Sequence, residues 1–291
     1  MDDKEPAIDL SEPTPRAVPE VATAVGIREG SGSPANRRRA QRRQATYDEM
    51  MSRARAALEE GRPLSLRAIA SEMGLTAPAL YRYVDSHAAL QSALAEAVLD
   101  DVVGILEAAA ATEEHAGAGL VAAMVAFRQW ALDRPHEFRL LCSAHDEGYL
   151  ESCDEAGSEG EGREPTWAIR LAIRFMPRVE DLYRAGVITP PTEEDLPPGA
   201  AEAIRNSLPR WFPDGDIPDV PVGLWWAGVR HWATLCGTVG VEVHRLVGPS
   251  FRDGALFHEA LRSTCAHLGV PTDDDKVLQA LEDRIRDSRS A

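Results

Sequence analysis

The chain has 291 residues, 44% hydrophobic and 27% charged, with a formal net charge of −16, enough for one large or two modest buried cores. No run approaches the roughly 18 apolar residues of a membrane span, residues 120–127 being the best. The acidic, proline-dotted N-terminus is not a basic-then-apolar leader, so a cytoplasmic chain with no membrane partner is expected. Cys142, Cys153, Cys236 and Cys265 show no close pairing, which favours free thiols over a disulfide scaffold.

Charge is unevenly spread. Residues 1–36 carry 3 basic and 7 acidic side chains (net −4), residues 37–87 carry 10 and 6 (+4), and residues 88–291 carry 18 and 34 (−16). An acidic body would point a basic segment at a polyanion and repel the rest. Residues 1–36 lack an apolar period and read as a disordered acidic tail. Arg37, Arg38, Arg39, Arg42 and Arg43 follow as a mobile arm suited to phosphates or a narrow minor groove, with a merely solvated charge run as the alternative. Tyr47, Met50, Met51, Ala54 and Leu58 then recur at helical spacing and stop at Gly61, giving a first helix.

Residues 65–84 have the pattern of a helix-turn-helix. Ser65 is a good N-cap, Ile69, Ala70 and Met73 keep helical spacing, and Gly74 can adopt the left-handed turn of a helix end. Leu75 supplies an apolar plug, Thr76 can cap a second helix, and Pro78 falls in its first turn, where a missing N–H matters little. A short turn makes the helices cross steeply, so the residue at the crossing must be small, and Ala70 is. Ala70, Gly74, Leu75, Thr76, Leu80, Tyr81 and Tyr83 followed by Ser86 resemble the TetR family of transcriptional regulators over residues 44–106. The resemblance implies an all-α protein: a three-helix DNA-binding head on a larger helical-bundle body for ligand binding and dimerisation. His87 stands where that family usually has lysine. The implied reading has residues 77–84 in the major groove, with Thr76, Ala77 and Pro78 at its start. Ser65 and Tyr81 hold phosphates, Arg82 reads a base, and His87 is a possible phosphate contact. One of Tyr81 and Tyr83 packs inside the head, and spacing alone leaves open which.

Asp85-Ser86 caps a long helix over residues 86–111 with Leu90, Leu94, Val98, Val102, Ile105 and Leu106 on its apolar face, joining head to body. Residues 112–119 read as a loop and 120–132 as a helix holding Phe127 and Trp130. Arg134-Pro135 breaks it before a short helix over residues 136–144. The acidic, glycine-rich stretch 146–164 reads as a solvated loop. Residues 167–185 are helical, with Pro177 expected to kink or split them near Met176. Residues 190–198 form a rigid connection, 200–208 a short helix, 222–247 a buried helix, 256–268 a last helix and 273–291 a charged tail. The organisation is therefore tail 1–36, arm and head 37–87, body 88–270 and tail 271–291.

On the apolar stretch 222–247, Gly228, Gly237 and Gly240 need a reason, since glycine in a helix interior costs about 1 kcal/mol relative to alanine. A partner helix or a ligand would supply one. Trp232 to Gly237 followed by Glu242 resembles the Trp-His-Gly signature of one TetR-type C-terminal domain, with Cys236 at the histidine position. Phe127, Trp130, Phe175, Trp226 and His231 are candidate effector contacts, His231 being equally readable as a core histidine. Trp232, Gly237 and Gly240 are candidate dimer contacts, with packing inside one subunit as the alternative. Cys142-x2-His145 with Cys153 and Asp146 lacks the second close pair of a zinc site, and Gly157, Gly160 and Gly162 are interleaved with glutamates that would repel phosphate. No nucleophile-and-base pattern is visible. The expectation is a DNA-binding repressor without cofactor or metal, a homodimer on a palindromic operator released by a small apolar effector. The rival is a helical interaction or enzymatic module.

Overall fold

The computed structural model describes residues 34–113, 116–143, 167–212, 215–246 and 254–268. The expectations for the tail 1–33, the loop 146–164 and the tail 273–291 lie outside these residues. The architecture is all-α: α1 Pro34–Glu59, α2 Leu66–Glu72, α3 Ala77–Leu80, α4 His87–Ala111, α5 Ala116–Asp133, α6 Pro135–Ser143, α7 Trp167–Arg184, a 3-10 turn Glu193–Asp195, α8 Ala200–Trp211, α9 Val222–Val243 and α10 Ala255–Leu268. Two compact units divide the chain, Met1–Thr46 and Tyr47–Ala291.

In the first unit, residues 34–46 are the opening turns of α1, where the Thr46 hydroxyl donates to the Arg42 carbonyl at 3.0 Å. The arm is thus helical and not a loose segment ahead of the first helix. Arg, Ala and Gln are strong helix formers and nothing between Pro34 and Gly61 breaks the helix.

In the second unit, α1 buries Met50 and Ala54 against Leu66, Ile69 and Leu80. Gly61 ends α1 and Gly74 ends α2 in the same way. Each takes φ +67, and the next amide reaches back to the helix: Arg62 N to Ala57 O at 2.8 Å, Leu75 N to Ala70 O at 2.8 Å. Ser65 caps α2, its Oγ accepting from Ala68 N at 3.4 Å, and Ala70 is closed off at the crossing. Two expectations fail here. Leu75 is 38% exposed and plugs nothing, since Leu66, Ile69, Ala70 and Leu80 already fill the head. The motif's second helix, expected over residues 77–84, is α only to Leu80; residues 81–83 continue as turns, with Tyr83 N bonded to Leu80 O at 2.8 Å.

Ser86 starts α4 as expected, accepting from Ala89 N at 3.0 Å. The stripe Leu90, Leu94, Val98, Val102 and Leu106 is buried, each side chain contributing about 1.5–3 kcal/mol of transfer free energy. α5 packs along α4 and starts at Ala116, so part of the expected loop 112–119 is helix. α7 runs through Pro177 without splitting, held by packing on α4, α5, α8 and α9. α8 continues to Trp211, past the expected end at 208. α9 packs on α5, α7, α8 and α10 and stops at Val243, short of 247, where Arg245 takes φ 55. No helix of the described residues is long and apolar enough to cross a membrane.

Candidate nucleic-acid interface and effector cavity

On the helix-turn-helix, Leu80 points into the core while Pro78, Tyr81 (50% exposed) and Arg82 face outward. The tyrosine ambiguity is resolved: Tyr83 packs against the head core and Tyr81 does not. Thr76 occupies the N-cap position of α3 but its hydroxyl makes no capping bond, Ala77 is half-buried, and Ser65 keeps its hydroxyl proton while its oxygen serves as cap. The His87 Nε2–H donates to the Leu64 carbonyl at 3.0 Å, tying the start of α4 to the turn before α2. Arg37, Arg38, Arg39, Arg42 and Arg43 are all exposed on α1. Arg67 is a further exposed cation on α2 that the motif did not single out.

Behind the head, α4, α5, α7 and α9 line a partly open cavity of about 100 Å³. Leu106 comes from α4; Leu120, Met124 and Phe127 from α5; Leu171, Phe175, Met176 and Val179 from α7; Leu224, Gly228, His231, Trp232 and Leu235 from α9. Of the expected contacts, Phe127, Phe175 and His231 line it, while Trp130 and Trp226 do not. Trp130 is buried instead beside Glu137, its Nε1 donating to Oε2 at 3.2 Å. Trp232, expected at a subunit interface, stands in the cavity wall with its ring 5.0 Å from Phe127.

The three glycines of α9 separate. Gly228 borders the cavity, where an added Cβ would lie 3.8 Å from Met176; Gly240 packs near Phe138; Gly237 is exposed with nothing within 4 Å. A second, more open hollow of about 400 Å³ lies over buried Trp225, rimmed by the exposed Glu193–Arg205 ion pair.

Two charged groups deep in the core were not anticipated, because a charge amid apolar helix residues has no sequence signature of its own. Glu137, 1% exposed, accepts from Arg55 Nε of α1 at 2.8 Å and lies 3.5 Å from Arg134. Arg55 also reaches Asp101 of α4 at 2.5 Å. Burial alone would lower the Arg55 pKa, but the bonds to Glu137 and Asp101 outweigh it and raise it above its ordinary value. Arg128 of α5 is equally buried and donates to Glu242 of α9 at 2.8 Å. On α4, Glu96 and Asp100 are held by Arg170 and Arg174 of α7. None of Cys142, Cys236 and Cys265 is in a disulfide; burial, with Cys142 nearby, pushes the Cys236 thiol well above its ordinary pKa. Among the described residues no cluster could hold a metal.

No family model and no curated protein matches the chain. Among solved structures it is similar to the crystal structure of "putative regulatory protein SCO4313", with a TM-score of 0.53 and 26% identity over 78% of this chain and 98% of that one. The chain shares an all-helical fold with a protein named as a regulator.

Proposed function

We propose that this chain is a sequence-specific DNA-binding transcriptional regulator of the TetR type, a homodimeric repressor released from its operator by a small apolar effector. The observation that carries the reading is the α2–α3 unit: two short helices locked by Gly74 and Leu80, presenting Pro78, Tyr81 and Arg82 outward on a basic segment of an acidic chain. Arg82 reads a base, Tyr81 and Ser65 hold phosphates, and the arginines of α1 add a sequence-independent attraction. A two-fold dimer doubles these contacts on a palindromic site. Exposed Val229 and Gly237 of α9 and Leu256 of α10 offer apolar and small surface for the partner subunit.

Release follows from differential affinity for two head positions. Two sets of contacts support a route. Phe127 in the cavity wall touches Trp130 at 5.8 Å between ring centroids; Trp130 bonds Glu137, and Glu137 bonds Arg55 of the head. α7, the opposite wall, grips α4 through its two arginine pairs.

Sequencing of genomic fragments retained by the purified chain tests the DNA reading and returns the operator. On that operator Arg82→Ala weakens binding by about 1–3 kcal/mol and relaxes preference at one position. Equal loss on operator and random duplex would leave Arg82 a phosphate contact. Removing residues 1–43 flattens the slope of log affinity against log salt. The rival reading, an enzyme or interaction module, expects no duplex binding at low salt.

A further inference from the structure

The four walls of the cavity agree in chemistry. No Asp, Glu, Lys or Arg lines it, and only His231 and Trp232 carry a side-chain nitrogen there. Trp232 presents its ring alone, because its indole N–H is sealed in the surrounding packing and not at the cavity surface, and His231 has an interaction of its own. A ligand hydroxyl, carboxylate or ammonium would therefore shed its water and gain little in exchange. Aromatic rings come from three of the four helices, Phe127 of α5, Phe175 of α7 and Trp232 of α9, and thioethers from Met124 and Met176. Phe127 and Trp232 stand 5.0 Å apart at 54°, a tilted pair rather than a closed stack. Tilted ring contacts and sulfur–ring contacts each add to the burial of area, and only a guest with a π system collects both. The volume, about 100 Å³, is of the order of the apolar cavities, about 150 Å³, that hold one benzene.

We infer that the cavity takes a neutral, single-ring aromatic hydrocarbon, an alkylbenzene bearing no hydrogen-bonding group. The inference deepens the proposed function from an apolar effector to an arene, and rests on that reading only for the claim that this ligand is the effector. It also gives Gly228 a purpose. The residue borders the space, an added Cβ would lie 3.8 Å from Met176, and a longer side chain would occupy the place of the ring.

The test uses the full chain without DNA and ligand-observed NMR titration of three matched probes. Toluene is the arene, phenol replaces its methyl group by a hydroxyl, and methylcyclohexane keeps the outline without the π system. Phenol is expected to bind about ten- to hundredfold more weakly than toluene, the loss of burying a hydroxyl without a partner. Once each affinity is divided by the probe's own water-to-hydrocarbon partition, toluene is expected to exceed methylcyclohexane by about two- to tenfold, the range ring contacts supply. Gly228→Leu is expected to abolish toluene binding. Gly228→Ala, which meets Met176 at an ordinary contact distance and improves helix propensity, keeps the fold and is expected to weaken toluene by about threefold or more.

Phenol binding within about threefold of toluene would overturn the inference, since a polar group would then face the guest. So would a saturated ring that matches or exceeds toluene after the partition correction. Toluene binding unchanged in Gly228→Ala would overturn it too, by placing the ligand elsewhere. Because no DNA is present, the outcome separates from the regulatory reading. Failure of the ligand order with intact Arg82-dependent operator binding removes this inference alone, while the expected order with an operator complex indifferent to toluene removes the effector role alone.

Discussion

Glu137 and Glu242 are both carboxylates inside an apolar bundle, each accepting from an arginine Nε of another helix at 2.8 Å, but their surroundings differ. Arg128, the partner of Glu242, is 1% exposed; its guanidinium carbon lies 5.3 Å from the centre of the Phe257 ring, and a Cβ on Gly254 would come within 2.9 Å of its Nη2. This pair is dry and joins α5, α9 and α10 within the body. Arg55, the partner of Glu137, is 27% exposed and divided between Glu137 and Asp101, while Trp130 and Arg134 also face Glu137. This node lies at the edge of water and joins head to body. A sealed pair adds little net stability when formed but is expensive to break, whereas a shared, half-wet one can exchange partners cheaply. The first suits a permanent clamp and the second a joint that changes state.

Breaking the clamp should have the largest effect. Arg128→Met is expected to cost about 3–5 kcal/mol in urea unfolding, and the double variant Arg128→Met/Glu242→Leu to recover most of it, as buried pairs replaced by hydrocarbon do. A single-variant loss under about 1 kcal/mol would make the two carboxylates equivalent and dissolve the contrast. At the joint, Glu137→Gln keeps the shape and one accepting oxygen but turns its NH2 toward either the Arg55 Nε–H or the Trp130 Nε1–H, and should still cost less, about 1–3 kcal/mol. The Arg55/Glu137 double-mutant cycle should give a smaller coupling energy than the Arg128/Glu242 cycle. Under the proposed repressor function the more telling readout is operator release: Glu137→Gln should hold the operator in the free state yet respond less to ligand. Unaltered release with a stability change alone would leave Glu137 structural.

Near the clamp, Arg245 holds a left-handed φ of 55 just after α9, the conformation glycine takes at the ends of α1 and α2. Arg245→Gly should therefore raise stability by about 1 kcal/mol with the Arg128–Glu242 pair intact, seen as a higher Tm. Smallest in effect is Cys265 of α10, whose thiol burial pushes up to about 11. It should resist iodoacetamide at pH 8 until the chain unfolds. As the unfolded thiol ionises near 9 and the folded one near 11, stability falls with rising pH only between those values. Rapid labelling of the native chain would show that the interior around α10 is open.

What the sequence made legible was local. Ser65, Ser86, Gly61 and Gly74 mark helix ends through bonds to residues at most five positions away, so their chemistry is visible in a short window. α1 was expected to begin where apolar spacing begins, but that spacing reports burial; the arginine stretch is helical without being buried. Leu75 shows the converse limit: Gly74 dictates the turn, while the exposure of the next side chain depends on whether the head has room for it. At the cavity, Phe127 and Trp130 lie three residues apart on one helix and looked interchangeable, yet Glu137 claims Trp130. The buried pairs were beyond reach because their partners stand 82 and 114 residues apart.

Pro177 lies within the cavity wall, between Phe175 and Met176 on one side and Val179 on the other. Proline brings no amide hydrogen, so the Ile173 carbonyl loses its usual helical donor and α7 is softest at that turn. The stretch before it is riveted to α4 by Arg170 and Arg174. Mechanically, α7 is a rod anchored at one end and compliant in the middle. A guest slightly too large for 100 Å³ would bow this wall first, and the strain would be delivered to α4 through its rivets.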